Sequence, residues 1–492
     1  MSTTATDDAS TGVSGLDELL RGGLTAQRMY LIEGAPGTGK TTLALQFLLT
    51  GRDRGERTLY VTLSETGHEM KAIAASHGWH LDGVELFQLA QSEGIKPEDQ
   101  YTLYHPAEVE LGETIKAILD TVERVQPMRV VVDSLSELKL LARDPLRYRR
   151  QILALKEFFA GRACTVLLLD DMTAGGADLQ VESVAHGVIF LDTLPFEYGR
   201  ARRRIRIVKI RGVAAVEGFH DFVIKRGGLE VFPQLIPIRH GGKPRLKETV
   251  KSGVAELDQL LGGGLTSGTT TLLIGPAGTG KSTLAAQYAA SGVTTAKAAI
   301  FLFDERASTF VARCDALGMQ LSARLADGSV TLEQIEPGEM SPGEFSFRVR
   351  QAVERDGIRV VLIDGLNGYL NAIPQVEAPL VRMHELLSFL NESGVTTLMI
   401  VAQHGIVGAH MTTPLDVSYL ADSVVLLRFF ESQGMVRRAL SVMKKRTGTH
   451  EATIREFQIG PDRLHVGEAL SQFQGVLTGV PHYIGAETPP LR

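Results

Sequence analysis

The sequence predicts an α/β protein of two tandem domains, each a mostly parallel sheet flanked by helices. Two observations lead there. The chain is internally duplicated: Lys40 and Lys281 lie 241 positions apart (281 − 40), and Gly12 and Gly253 keep the same interval. Later landmarks drift to 240 for Glu65 and Glu305, 231 for Asp133 and Asp364, and 235 for Lys209 and Lys444, so insertions and deletions fall between shared positions. A repeat this long marks whole domains rather than the small units of a solenoid. Within each half, apolar runs alternate with helix-like segments, the pattern of a parallel sheet covered on both faces. Length alone, at 492 residues, would suggest about three domains. The duplication makes it two, expected at 1–235 and 249–480, with a linker at 236–248 and a short flexible tail at 481–492.

Each half opens alike, with Thr11 to Leu20 matched by Ser252 to Leu261. The leucines at helical spacing predict a short helix on the core. An apolar strand follows (Met29 to Ile32, Thr271 to Ile274) and runs into a glycine-rich turn. The first turn reads Gly34-Ala35-Pro36-Gly37-Thr38-Gly39-Lys40-Thr41 and the second Gly275-Pro276-Ala277-Gly278-Thr279-Gly280-Lys281-Ser282, with Thr42 and Thr283 next in line. Both fit G-x-x-x-x-G-K-[ST] between a strand and a helix, the setting in which consecutive backbone N–H groups cradle the phosphates of ATP. Lys40 or Lys281 can then reach the β- and γ-phosphates, and Thr41 or Ser282 offers a hydroxyl to Mg2+.

Amphipathic helices are expected next (Thr42 to Leu49, Thr283 to Ala290), then strands at Arg57 to Leu63 and Ala298 to Phe303. A third strand, Arg129 to Asp133 and Arg359 to Asp364, ends in an aspartate in each half. At the carboxyl end of a buried strand it faces the crevice where nucleotides bind, placed to hold Mg2+. Helices at Pro145 to Phe159 and Pro379 to Leu390, strands at Thr165 to Leu169 and Thr396 to Val401, and alternating strands at Gly187 to Leu191, Arg203 to Ile210, Ser423 to Leu427 and Arg437 to Val442 complete the pass.

The remaining chemistry lies at two corners. Glu65, after Ser64, and the Asp304/Glu305 pair follow the second strand of each half, where a carboxylate can orient an attacking water or hydroxyl. Near the end of each half stand Lys209 with Arg211 and Lys444 with Arg446. Residues two apart on a strand share a face. Each pair is either a solvated sheet face or a finger that reaches a neighbouring subunit's γ-phosphate.

Composition narrows the partners. Hydrophobic residues make up 44% and charged residues 22%, ordinary for a globular protein, and the net charge of −6 argues against broad adhesion to nucleic acid. Cys164 and Cys314 sit in separate halves with no metal-binding spacing. No run approaches a membrane span, and Met1 to Ser10 lacks the pattern of a secretory signal. A cytoplasmic protein is expected.

Taken together, the lead-ins, both cradles, both strand-end aspartates and the Lys-x-Arg-Gly motif at Lys209 to Gly212 resemble the KaiC family, the double-domain ATPases and autokinases of the bacterial circadian clock, within the RecA-like P-loop NTPases. The resemblance spans roughly residues 11 to 480. It implies an ATP-bridged homohexamer, slow hydrolysis in the first domain and autophosphorylation in the second. It also implies that Lys209, Arg211, Lys444 and Arg446 act in trans. The family carries two adjacent glutamates at each catalytic corner; here Ser64 and Asp304 replace the first of each. Ser418 matches the family's acceptor serine, and Tyr419 stands in place of its threonine. Implied partners are further copies of the chain and a signalling protein such as a KaiB-like protein, a histidine kinase or a response regulator. A DNA-dependent repair ATPase and a nucleotide-gated scaffold without kinase activity are the rival readings.

Overall fold

The computed structural model describes residues 8–88, 106–172, 179–195, 199–235, 248–291, 296–371, 379–403, 417–477 and 480–484. The chain divides into two compact units, Met1–Gln234 and Leu235–Arg492. The linker expected at 236–248 lies outside the described residues except for Glu248.

Each unit is built on one nine-stranded sheet, and the two sheets have the same strand order. Naming each strand by its first residue, the first runs Val84, Thr58, Arg129, Thr165, Met29, Gly187, Arg202, Phe219, Gly228, and the second Val330, Lys297, Ile358, Thr396, Thr270, Ser423, Met435, Ile454, Leu464. In both, the first six strands are parallel and the last three antiparallel. The cradle strands, Met29–Gly34 and Thr270–Gly275, lie near the middle and are buried throughout. Alternate residues of each feed separate cores on the two faces of the sheet. Tyr30 and Ile32 pack with Leu43, Phe47 and the rest of the helix after the cradle, whereas Met29 and Leu31 pack with Ile115, Leu135 and Ile152 on the other side. Leu273 and the pair Leu272 and Ile274 repeat the arrangement.

Four expectations change. The helix after the first cradle, Lys40–Asp53, is not amphipathic: residues Leu43 to Leu49 are all buried, because it lies under the sheet with other elements on its flanks. The same holds for Lys281–Ser291. The strands Val84–Gln88 and Val330–Gln334 were not expected; as sheet edges they bury only one residue each, so their apolar signal is weak. Nor were the last two strands of each sheet, Phe219–Lys225 with Gly228–Phe232 and Ile454–Ile459 with Leu464–Ala469. Within the segment expected as a flexible tail, His482–Tyr483 pairs with Phe473–Gln474. Residues 485–492 lie outside the described residues.

Both cysteines are free and buried, and burial pushes each thiol up to about 12. Among the described residues, no helix is long and apolar enough to cross a membrane.

Candidate functional site

Each cradle is shaped by its glycines and wired by its lysine. Gly39 and Gly280 take φ of 107° and 95°, in the left-handed region that favours glycine. A Cβ there would come within 2.6 Å of Ile224 or 2.7 Å of Ile459. Thr38 and Thr279 close the turns by donating to the carbonyls of Ala35 and Pro276, each at 2.9 Å. Lys40 Nζ donates to the Gly34 and Ala35 carbonyls at 2.7 and 3.0 Å, and Lys281 Nζ to those of Gly275 and Pro276 at 2.8 and 2.7 Å.

The strand-end aspartates meet the cradle hydroxyls. Thr41 Oγ1 donates to Asp133 Oδ2 at 3.1 Å, and Ser282 is hydrogen-bonded to Asp364. The two pairs are not equivalent. The Tyr60 hydroxyl also donates to Asp133 Oδ2 at 2.5 Å, while the second unit has Ile300 at the matching position and leaves Asp364 Oδ2 buried without a hydrogen-bond partner. Burial raises both carboxylates, Asp364 to about 6. An orphaned buried carboxylate oxygen beside a serine hydroxyl suits a hard divalent cation. Among the described residues, no group of three or more His, Cys, Asp or Glu side chains could hold a metal alone. One carboxylate and one hydroxyl fit the pattern in which Mg2+ takes its remaining ligands from water and nucleotide phosphates.

At the catalytic corners the predicted carboxylates part company. Glu65 is half-buried, and its backbone is pinned by Thr62, whose hydroxyl accepts from Glu65 N at 2.9 Å. Its carboxyl is raised, first by desolvation and then by Glu69 and Asp133 nearby, and it is hydrogen-bonded to Glu69. Glu69 is fixed in turn by a capping box with Thr66 at the start of helix Gly67–Ser76. In the second unit Glu305 is clamped by Arg313, whose Nη1 and Nη2 reach its two oxygens at 2.5 and 2.9 Å. Asp304 is exposed overall, yet its carboxylate lies against Gly365 and Gly368, where a Cβ would come within 2.5 and 2.7 Å of it, and desolvation there raises it. Of the two neighbours, Asp304 is the one without a cationic clamp.

The late basic pairs hold backbone carbonyls. Lys209 donates to the Glu182 carbonyl and Arg211 to that of Ser183 at 2.8 Å, both in the last turn of helix Leu179–Val184. Lys444 donates to the carbonyls of Ser418 and Ala421 at 3.1 and 2.8 Å, and Arg446 to that of Tyr419 at 3.2 Å. The basic pair of the second unit therefore grips the half-buried segment that carries Ser418. All four side chains stand at the amino end of the parallel strands: Gly187 pairs with Tyr30 and Ile210, and Ser423 with Thr271 and Lys445. The cradles begin at the other end, after Gly34 and Gly275. Four residue steps of strand, about 13 Å, separate the two levels.

Residues that sequence reasoning passed over complete the picture: Tyr60, Glu69, Arg313 and Arg438, which donates to the Gly278 carbonyl inside the second cradle at 3.3 Å. Asp171, whose carboxylate lies 2.8 Å from Lys40 Nζ, is another. It follows Asp170 at the end of a four-residue apolar run, Val166 to Leu169, a strand-end carboxylate of the same kind as Asp133 and Asp364.

The family model for the KaiC ATPase matches this chain twice, over residues 9–236 and 250–471. The chain belongs to the KaiC ATPase family. Each match covers one unit with its cradle, so the duplication is that of two KaiC domains in tandem. The chain is 26% identical over 484 residues to the circadian clock protein KaiC3 of Synechocystis sp., covering 96% of this chain and 94% of that protein. It is 26% identical over 486 residues to the circadian clock oscillator protein KaiC of Synechococcus elongatus, covering 96% and 91% respectively. The two nine-stranded sheets, mostly parallel and flanked by helices, are consistent with tandem RecA-like domains, and membership in a KaiC ATPase family implies nucleotide binding and ATP hydrolysis.

Proposed function

We propose that the protein is a Mg2+-dependent ATPase that assembles into an ATP-bridged homohexamer, hydrolysing ATP slowly in the first domain and phosphorylating Ser418 in the second. The observation that carries this reading is the position of Lys209, Arg211, Lys444, Arg446 and Ser418 at the end of the sheet opposite their own cradles. From there none can serve the nucleotide of its own domain, whereas a neighbour packed head to tail in a ring would present its cradle to them. Ser418 then receives the γ-phosphoryl in trans.

In this reading Thr41 with Asp133, and Ser282 with Asp364, hold the Mg2+, which neutralises charge building up on the phosphates. The chain's own part is positioning. Residues Gly34 to Thr42 and Gly275 to Thr283 bind the phosphates through backbone N–H groups and the lysines. Glu65, its carboxyl raised chiefly by desolvation, takes the proton of the attacking water in the first domain. Asp304, free of Arg313, does so for the incoming hydroxyl in the second, while Glu305 shapes the corner. The functional division follows 1–235 and 249–480, with 236–248 as linker. The partner is a signalling protein of the KaiB-like, histidine kinase or response-regulator kind.

The test is mass spectrometry of the purified chain after incubation with ATP and Mg2+. Phosphate on Ser418 is expected, with none on the Ser418→Ala variant. ADP release without any phosphoserine would remove the kinase half and leave the ATPase.

A pH dependence follows from Lys281, lowered to about 8 chiefly by burial. Phosphate oxygens favour its charged form, so binding above that pH takes up a proton. Nucleotide affinity of the second cradle, measured by calorimetry on Lys40→Ala, is expected to be level below about pH 8 and to fall by up to about tenfold per unit above it. A flat profile to pH 9 would show that Lys281 stays charged without the nucleotide.

A further inference from the structure

An ammonium has three donors. In the second cradle Lys281 spends two on the Gly275 and Pro276 carbonyls, and no third partner stands beside it among the described residues. In the first, Lys40 spends two on the Gly34 and Ala35 carbonyls and directs the third at Asp171 Oδ1, 2.8 Å away. Lys40 is thus fully engaged before any nucleotide arrives. The register makes the contact a product of the fold: Glu33 pairs with Asp170 on the adjacent parallel strand, which brings Asp171 beside the cradle at the carboxyl end of the sheet. Ser136 fixes the turn, donating to Asp170 Oδ1 at 3.1 Å and accepting from Asp171 N at 3.3 Å. In the second unit Ile274 pairs with Val401 as Glu33 does with Asp170, so the matching position is Ala402, which carries no charge.

We propose that Asp171 is a specificity-determining gate of the first cradle: its carboxylate stands at Lys40 where a terminal phosphate oxygen would stand, and it discriminates against a nucleoside triphosphate relative to a diphosphate. The inference rests on the reading that the cradles bind ATP. The donor that a phosphate oxygen takes most readily from Lys40 is the one that Asp171 holds, because that carboxylate is partly open to water and regains hydrogen bonds there, whereas the Gly34 carbonyl is buried. Once displaced, the carboxylate remains close to the phosphates, and like charges at short range in a partly dry site repel strongly. A triphosphate brings more charge to that place than a diphosphate does. The first cradle therefore holds ADP well relative to ATP, which slows its reloading, and the second cradle, with Ala402, has no such bias.

The experiment uses the full chain carrying Lys281→Ala, which leaves the first cradle as the nucleotide site, and measures equilibrium binding of a fluorescent non-hydrolysable ATP analogue and of the matching ADP analogue, each with Mg2+. Asp171→Asn keeps the shape and removes the charge. It is expected to tighten the triphosphate by about tenfold or more and the diphosphate by less, so that the preference shifts towards ATP. Asp171→Ser, which removes the carboxylate with a different shape, should move the ratio the same way, and thermal melting checks that both variants fold. An unchanged ratio, or one that shifts towards ADP, on a chain that still binds nucleotide would overturn the gate and leave the ATPase reading intact. Failure of the parent chain to bind either analogue, with Lys40 in place, would overturn both.

Discussion

Lys281→Ala should abolish phosphate incorporation at Ser418 while ADP release from the first domain continues, and Lys40→Ala should do the reverse. Each lysine is buried and, in the proposed function, supplies the charge nearest the transferring phosphoryl group; losing such a preorganised donor costs about a hundredfold or more in turnover. Alanine also removes the ammonium donor from the Gly275 and Pro276 carbonyls, or from those of Gly34 and Ala35, so the loop loses part of its hydrogen bonding as well as charge. A mixing experiment sharpens the point. Chains with Lys281→Ala still carry the acceptor, and chains with Ser418→Ala still carry an intact second cradle. Neither should label alone, but co-assembled they should place phosphate on the Lys281→Ala chain, because acceptor and cradle lie at opposite ends of one sheet. Labelling of the Lys281→Ala chain by itself would overturn both the assignment of the cradle and the transfer between subunits.

Arg129→Met is expected to destabilise the first unit by about 3 kcal/mol, at the lower end of the range for breaking a buried ion pair. The Arg129 side chain is only 1% exposed. Its Nε and Nη2 reach the two oxygens of Glu56 at 2.5 and 3.1 Å, and Nη1 donates to the Ser10 and Phe47 carbonyls at 2.7 and 2.8 Å. It also lies 4.6 Å from the centre of the Phe47 ring. One guanidinium thus ties the start of the unit and the helix after the cradle to a central strand. Methionine fills much of the volume but leaves two carbonyls and a carboxylate without their donor; Glu56, partly open to water, recovers some of the loss. In a unit of this size a change of that order moves the melting midpoint by roughly 6–12 °C. A shift of less than two degrees in scanning calorimetry would mean that the pair contributes nothing net.

The parts of the site that one strand or one turn carries could be read from the chain. Both cradles, both strand-end aspartates and the carboxylates after the second strand of each unit follow this logic, because a motif that lies within ten residues needs no knowledge of what packs beside it. The partners that tune them came from elsewhere. Tyr60 reaches Asp133 only because their strands are neighbours in register, and Lys40 meets Asp171 across another parallel pair. Arg313 sits eight positions after Glu305, two turns along the helix that follows, a spacing that could have flagged it. Among the strands, those buried on both faces announced themselves by apolar runs, whereas Val84–Gln88 and Val330–Gln334 bury one residue each and read as loop. The sequence also made the helix after the cradle look two-faced, because Thr42 and Gln46 are polar; in the fold both are buried, and Gln46 exchanges hydrogen bonds with the backbone of Leu229.

The identical strand order of the two sheets means that the molecule carries its own control. Tyr60 and Ile300, Asp171 and Ala402, and Ser64 and Asp304 occupy matching places in one frame, on one chain, at one concentration and in one buffer. Exchanging a residue for its counterpart, in either direction, compares two local chemistries without comparing two proteins.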